Sequence, residues 1–131
     1  MIVLDTHVWV WWVSELEPLS PKARRLIGSA VNQKGVYLSS ISVWEVAQLA
    51  ARGRLHLTMD VADWVAKSET LPFVQFIPVD NAIALKSVRL PGLLHPDPAD
   101  RIIIATALTL GFPLVTRDEK IARYPRVRTI W

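Results

Sequence analysis

The sequence predicts a single α/β domain with a central parallel sheet of four to five strands flanked by helices. Short apolar runs alternate with longer segments of helical periodicity, which is typical of stacked βα units. The chain has 131 residues, an ordinary length for one domain with a core of its own. It contains no internal repeat or low-complexity linker, so we expect one domain over residues 1–131.

The predicted elements alternate along the whole chain. The predicted strands are the apolar runs at residues 2–4, 36–38, 74–79, 114–116 and 127–130. The predicted helices lie at residues 8–13, 21–31, 43–52, 61–67, 82–88 and 99–110. Proline and glycine concentrate between residues 91 and 98, which predicts a loop before the last long helix.

Helix boundaries follow from capping residues. Ser20 and Pro21 are suited to the N-cap and first position of the second helix. Ser42 and Glu45 have the spacing of a capping box and predict the start of the third helix. Gly111 predicts the end of the helix over residues 99–110, because glycine readily adopts the left-handed conformation at that position.

Composition limits the classes of partner and compartment. No basic leader with an apolar core is present, and no run reaches about 18 apolar residues, so we expect neither export nor membrane insertion. The absence of cysteine permits a reducing compartment, and we expect a cytoplasmic protein. Apolar residues make up 51% of the chain and include six tryptophans, which predicts contact with another protein chain.

Four carboxylates follow predicted strands or begin predicted helices: Asp5, Glu45, Asp100 and Asp118. Open α/β sheets bind ligands outside the carboxyl ends of their strands, so we expect these side chains to share one crevice. Gathering four acids there leaves fifteen cations against eight acids elsewhere, an excess of seven positive charges. Such a surface suits a polyanion.

Capping offers a structural alternative for some of these acids. Glu45 would be the third residue of its capping box, and Asp100 the third residue of a helix with Asp97 as N-cap. Asp5 could cap the turn after its strand, whereas Asp118 has no predicted capping role. The functional hypothesis therefore depends on the four carboxylates lying together, because several carboxylates in one crevice require a cation or a shared proton.

The expected cation is Mg²⁺ or Mn²⁺. The chain lacks cysteine, and its three histidines, His7, His56 and His95, are spread along the sequence without metal-site spacing. The predicted ligand set therefore consists of oxygen atoms, which these hard cations prefer.

Four segments resemble the PIN-domain family, and more narrowly the VapC-type toxins of type II toxin-antitoxin pairs: MIVLDTHVWVWW, SSISVWEVA, HPDPADRIIIATA and LVTRD. The resemblance implies a parallel sheet flanked by helices and an Mg²⁺- or Mn²⁺-dependent endoribonuclease that leaves a 5′-phosphate and a 3′-hydroxyl. It also implies a VapB-type antitoxin and a second copy of the chain as partners.

The same resemblance assigns expected roles to residues. Asp5 and Asp100 would hold the main metal, Glu45 would orient or deprotonate water, and Asp118 would place a second ion. Further residues could either support these acids or only satisfy backbone groups: Thr6, Thr116 and Asp97.

Basic and aromatic residues suggest RNA contacts, with structural alternatives. The predicted phosphate-binding residues are Arg101, Arg117, Lys120 and Arg123, which could also form a solvated face with local ion pairs. The tryptophans Trp9, Trp11 and Trp12 could stack on bases, but core packing or a partner interface fits them better.

Two other functions compete with the nuclease hypothesis. A catalytically silent PIN-like scaffold would have no reason to retain four repelling acids. A phosphoacceptor receiver domain would use Asp80 as acceptor, with Thr116 as the switch hydroxyl and Lys120 as the lysine. Receivers pair acids after their first strand, whereas Thr6 and His7 follow Asp5 here.

Overall fold

The computed structural model describes residues 1–92 and 95–131. Five parallel strands form one sheet in the order β3-β2-β1-β4-β5. Their bounds are Ile2–Leu4 (β1), Val36–Ser39 (β2), Val74–Ile77 (β3), Leu114–Val115 (β4) and Thr129–Ile130 (β5). The predicted parallel sheet is confirmed, although β3, β4 and β5 are shorter than expected. Pro78 follows β3 directly and has no N–H to continue the ladder.

Helices surround the sheet: Thr6–Ser14 (α1), Pro21–Asn32 (α2), Ile41–Ala51 (α3), Val61–Glu69 (α4), Asn81–Val88 (α5), Pro98–Leu110 (α6) and Glu119–Ala122 (α7). The one-turn helix α7 was not predicted, because four residues give no helical period. In the described part of the chain, no helix combines the length and apolarity needed to span a bilayer.

The two faces of the sheet bury two separate cores. Ile2 and Leu4 point into one core with α1, α2 and α4, whereas Val3 points into the other with α6 and α7. This alternation follows from the two-residue period of a strand. Both faces of β1 are therefore buried, which explains its uninterrupted apolar sequence.

Tryptophans fill the first core. Trp9 is fully buried, its indole ring lies 4.6 Å from that of Trp64, and its Nε1 donates to Ser68 Oγ at 3.2 Å. Trp64 Nε1 donates to Ser14 Oγ at 3.1 Å, so both polar groups are satisfied. Core packing is confirmed for Trp9, and a base-stacking role for it is wrong.

The start of α3 differs from the predicted capping box. The helix begins at Ile41, and its N-cap Ser40 makes no side-chain capping bond. Ser39 Oγ instead accepts from Ile41 N–H at 3.2 Å. Ser42 is thus inside the first turn, and Glu45 is the fifth helical residue rather than the third. The capping-box prediction is wrong, and the side chain of Ser42 is free to face α1.

Strand order places a crevice beside β1. The chain passes from β1 to β2 and β3 on one side, then crosses to β4 on the other side. Val3 consequently pairs with both Tyr37 of β2 and Leu114 of β4. Connections after β1 and after β4 diverge at this point, which is where open α/β sheets bind ligands. Asp5 and Thr116 are the residues that directly follow these two strands.

Candidate active site

The crevice forms a cavity of about 410 Å³ that contains all four predicted acids. Its lining residues are Asp5, His7, Val8, Trp11, Glu45, Asp97, Asp100, Arg117 and Asp118. A larger cavity of about 750 Å³ includes Leu85 of α5 and Leu108 of α6, but no carboxylate lines it. Residues separated by more than one hundred positions therefore meet in one acidic site.

Asp5 is held from two directions. As the N-cap of α1, its Oδ1 accepts from Thr6 N–H at 2.8 Å, and its Oδ2 accepts from Thr116 Oγ1 at 2.7 Å. Only 7% of Asp5 is exposed. Burial raises the pKa of Asp5 above its ordinary value, although the hydrogen bonds from Thr116 and Thr6 lower it. Asp5 is therefore both a cap and a member of the acidic site.

Glu45 is linked to α1 through a hydroxyl. Thr6 Oγ1 donates to Glu45 Oε1 at 2.5 Å and lies 2.8 Å from Ser42 Oγ. Burial raises the pKa of Glu45, the hydrogen bond from Thr6 lowers it, and the charges of Asp5 and Asp97 raise it again. The hydroxyl of Thr6 thus supports a carboxylate, which is one of the two roles considered for this residue. Ser42 was missed because its sequence pattern fitted a cap.

Asp118 also caps a helix, contrary to expectation. Its side chain accepts from Lys120 N–H at 2.8 Å at the start of α7, and its own N–H donates to Thr116 Oγ1 at 3.0 Å. Thr116 therefore satisfies a backbone group and supports Asp5 with the same hydroxyl. The two roles weighed for this threonine coexist.

The start of α6 supplies two further carboxylates. Asp97 is the N-cap as predicted, since its Oδ1 accepts from Ala99 N–H at 2.9 Å and from Asp100 N–H at 3.4 Å. Pro98 and Asp100 occupy the first and third helical positions, which confirms that part of the prediction. The cap also places both acids at the crevice, so capping and a site role are compatible.

The acidity of Asp100 is strongly reduced by its surroundings. Burial first, and then the neighbouring carboxylates of Asp5, Asp97, Glu45 and Asp118, raise the pKa of Asp100 from 3.8 to about 8. Its side chain is 16% exposed. At neutral pH the site therefore resists full ionisation unless a positive charge enters it.

His95 lies beside these acids, although its position in the sequence shows no metal-site spacing. Its Nε2 is 3.1 Å from Asp100 Oδ2 and 4.0 Å from Asp118 Oδ2. His95 therefore adjoins the acidic site, and the predicted set of oxygen ligands stays a prediction. In the sequence, only the place of His95 two residues before the N-cap of α6 could have indicated that it lies near the acids.

The ligand atoms fit a divalent cation. Oxygen atoms of Glu45, Asp97 and Asp100 lie within 4.8 Å of one another, and so do ligand atoms of His95, Asp100 and Asp118. Asp100 belongs to both groups. Asp5 lines the same cavity but belongs to neither group, and its two oxygens accept hydrogen bonds from Thr6 and Thr116. A carboxylate-rich set of this kind suits Mg²⁺ or Mn²⁺.

The predicted basic residues differ in their surroundings. The Arg117 guanidinium lies 4.3 Å from the ring centre of Trp11 at the cavity edge. Lys120 and Arg123 are exposed on α7 and just after it, and Arg123 lies 3.8 Å from Glu119 across one turn. Arg101 donates to the main-chain oxygens of Ser87 at 2.8 Å, His95 at 3.1 Å and Val88 at 3.2 Å. These bonds give Arg101 a structural role, and its contact with RNA stays a prediction.

Trp11 packs against the first core and also lines the acidic cavity. It is partly buried against the first core, and its ring centre lies 5.9 Å from that of Trp131. Its other contacts are His7 at 5.8 Å and the Arg117 guanidinium. Trp12 packs against Phe73 at 6.0 Å. Neither ring is a freely exposed stacking platform.

Comparison with known proteins gives a consistent relationship. The PIN-domain model matches residues 2–127. Ribonuclease VapC22 of Mycobacterium tuberculosis is 35% identical over 99% of this chain and 98% of its own length. VapBC2 from Rickettsia felis, bound to a promoter DNA fragment, has a TM-score of 0.71 at 17% identity, covering 99% of this chain and 98% of that chain.

A further solved structure, FitAcB from Neisseria gonorrhoeae, has a TM-score of 0.68 at 24% identity and covers 100% of this chain and 97% of that chain. These two structural likenesses establish the fold. The receiver alternative is wrong, since Asp80 follows the edge strand β3 and caps α5 by accepting from Ile83 N–H. The matches over nearly the whole chain show that it belongs to the PIN-domain family, among its VapC-type members.

Proposed function

We propose that this protein is a divalent-cation-dependent endoribonuclease and the toxin of a VapBC-type pair. The main support for this proposal is that five carboxylates line one cavity, where the pKa of Asp100 is raised to about 8. Such a site is costly for a domain stabilised by roughly 5 to 15 kcal/mol unless a cation offsets the repulsion. The ribonuclease name of the 35% identical relative supports RNA as substrate.

Asp100 is the central cation ligand in this proposal. Asp97 and Glu45 share one neighbourhood with it, Asp118 lies on its other side, and Asp5 closes the crevice from β1. When bound, the cation supplies charge neutralisation and Lewis-acid activation of water for attack on a phosphodiester. Products with a 5′-phosphate and a 3′-hydroxyl follow if the 3′-oxygen leaves.

Glu45 is suited to accept the proton of the attacking water. The pKa of Glu45 is raised toward neutral pH, so its carboxylate is a stronger base than that of an exposed glutamate. The Thr6 hydroxyl engages Oε1, which leaves Oε2 for a water molecule. Asp118 is more exposed, with 35% of its side chain accessible, which suits a peripheral second ion or its waters.

Arg117 is the cation best placed for an RNA phosphate. It lines the cavity itself, and the Trp11 ring beneath it restricts the guanidinium without neutralising its charge. Lys120 and Arg123 extend the positive surface along α7, and Arg101 remains a more distant candidate. Phosphate contacts of this kind position the strand without selecting its sequence.

A VapB-type antitoxin and a second copy of the chain are the proposed protein partners, in the cytoplasm. Solved relatives include VapBC complexes, which supports the antitoxin. An apolar cavity of about 620 Å³ adjoins Glu45 and Asp97 and includes Trp44, which is 55% exposed. An antitoxin segment bound there would cover exposed apolar surface and reach the acidic site.

Cleavage assays on RNA test the activity. The purified protein should cleave single-stranded RNA with Mn²⁺ or Mg²⁺ and lose activity in EDTA. Asp5→Asn and Asp100→Asn should each reduce cleavage by at least about a hundredfold, since each removes charge from the cation site. Asp63→Asn, at an exposed acid of α4, is the matched control. Unreduced cleavage by both folded site variants would exclude this site, and a folded protein without cleavage would favour the silent scaffold.

A further inference from the structure

A hydrogen bond to the ring of His95 indicates which of its two nitrogens carries the proton. The side chain is 8% exposed, and Nδ1 accepts a hydrogen bond from Asp97 N–H at 3.2 Å. A nitrogen that accepts a hydrogen bond carries no proton, so the proton of the ring is on the other nitrogen. The backbone at the start of α6 therefore selects the form of His95 that donates from Nε2.

This donor faces the acidic site. Nε2 is shielded from solvent, lies 3.1 Å from Asp100 Oδ2 and has Asp118 Oδ2 4.0 Å away. The distance to Asp100 is that of a hydrogen bond, yet the angular requirements are not met. Nε2 therefore has no satisfied partner in the described chain. A buried donor without a partner is rare, and before a ligand binds such contacts are often imperfectly aligned.

The ring is held in place independently of the acid it faces. Arg101 donates to the His95 main-chain oxygen and also to the carbonyls of Ser87 and Val88 at the end of α5. Arg101 thus joins α5, α6 and the segment that begins at His95. The position of the imidazole is set by these backbone bonds and by Asp97, so only the Asp100 carboxylate has to turn.

We propose that His95 is a positioning residue that donates from Nε2 to Asp100 and so directs the other carboxylate oxygen toward the cation. The role rests on the proposed cation site. Hydrogen bonds to ligating groups fix their orientation and contribute to metal affinity. One oxygen of Asp100 would be held by the ring, and the other would remain for the ion.

Direct coordination by His95 is the competing geometry. It would require a lone pair on Nε2 and hence a proton on Nδ1. That proton would meet the Asp97 N–H, so two donors would face each other 3.2 Å apart. The described backbone therefore favours donation to Asp100 over binding the metal.

Mn²⁺ binding separates these possibilities without RNA. We would titrate the full chain with Mn²⁺, measure free Mn²⁺ by electron paramagnetic resonance, and examine the bound ion for directly coordinated imidazole nitrogen by electron spin echo modulation. His95→Phe keeps a planar ring but removes the donor, and His95→Gln keeps an N–H donor. His56→Phe, at an exposed histidine, is the control.

We expect His95→Phe to weaken Mn²⁺ binding by about tenfold or more, and His95→Gln to stay within about threefold of the unsubstituted protein. Bound Mn²⁺ should show no directly coordinated imidazole in His7→Phe, the variant that removes the histidine lining the cavity. Unchanged affinity in His95→Phe, or a directly bound imidazole nitrogen in His7→Phe, would overturn the role of His95. The second measurement does not depend on His95→Phe, so it decides even if that variant fails to fold.

The proposed function can fail separately. A protein that binds Mn²⁺ with the expected dependence on His95 but cleaves no RNA would contradict the nuclease activity and still support the positioning role. A protein that binds no Mn²⁺ would contradict both.

Discussion

Thr116 Oγ1 donates a 2.7 Å hydrogen bond to Asp5 Oδ2 and so joins residues 111 positions apart at the ends of β1 and β4. The same oxygen accepts from Asp118 N–H. One hydroxyl therefore connects the central strand, its neighbour and the start of α7. Both partners are buried, so no water can replace this bond without rearrangement.

Thr116→Val should reveal the contribution of this hydroxyl. Valine has nearly the same shape but leaves Asp5 without its Oδ2 partner and Asp118 N–H without an acceptor. We expect the free energy of unfolding at pH 7 to fall by about 1 to 3 kcal/mol. Urea unfolding measures this, with Thr116→Ser as the control that retains the hydroxyl. Equal stability of the valine and serine variants would argue against the bond.

The stability of the cation-free protein should fall as pH rises. The pKa of Asp100 is raised from 3.8 to about 8 on folding, so the folded state binds more protons between these values. Stability is therefore full below about pH 4 for this group and is lost as pH approaches 8. We expect the free energy of unfolding in EDTA to decrease by about 2 to 4 kcal/mol from pH 5 to pH 8.

Asp100→Asn provides the matched comparison, because an amide does not ionise. The variant should show a weaker pH dependence in the same urea titrations and should be more stable than the unsubstituted protein at pH 8. Asp5 and Glu45, whose pKa values are also raised, will retain part of the effect. Parallel pH curves for the two proteins would be inconsistent with a raised Asp100 pKa.

Mn²⁺ should stabilise the folded protein more at pH 8 than at pH 5, because protons and the cation compete for the same carboxylates. A free Mn²⁺ concentration of one hundred times Kd adds about 2.7 kcal/mol to the free energy of unfolding. This corresponds to a rise in Tm of several degrees for a chain of this size. Thermal unfolding with and without Mn²⁺ measures this. Asp100→Asn should lose most of the rise, whereas Asp63→Asn should keep it; an equal rise in both variants would place the ion elsewhere.

RNA affinity should fall steeply with salt if the surface around α7 contacts phosphates. For single-stranded RNA the slope of log affinity against log salt is about −0.7 per phosphate contacted. Arg117→Gln should reduce the magnitude of that slope by about 0.7, the value for one phosphate contact. Fluorescence anisotropy in EDTA measures the affinity. Arg54→Gln, at an exposed arginine after α3, is the charge-matched control. A flat titration would exclude the basic surface as the binding site.

Much of the fold was predictable because it depends on local patterns. The buried strands are short apolar runs, and the starts of α2 and α6 carry Ser20-Pro21 and Asp97-Pro98. The four acids could be assigned to one crevice because parallel strands end at one edge of the sheet. These features need no knowledge of distant contacts.

Other parts of the site depend on distant partners and could not be predicted. Ser42 resembles a helix cap in sequence, but Ser39 caps the helix and Ser42 instead approaches Thr6 on α1. His95 lies beside Asp100 because Arg101 fixes the preceding segment to the end of α5. Neither contact leaves a periodic or spacing signal, since each results from tertiary packing.

The strand order also determines when the crevice can form during synthesis. β1 is made first and occupies the middle of the sheet, but β4, which completes its second side, begins at Leu114. Asp5 has no Thr116 partner until that part of the chain has emerged from the ribosome. Nascent chains that end before β4 consequently lack the Thr116 hydrogen bond to Asp5, so chemistry that requires the complete crevice is confined to chains that already include β4.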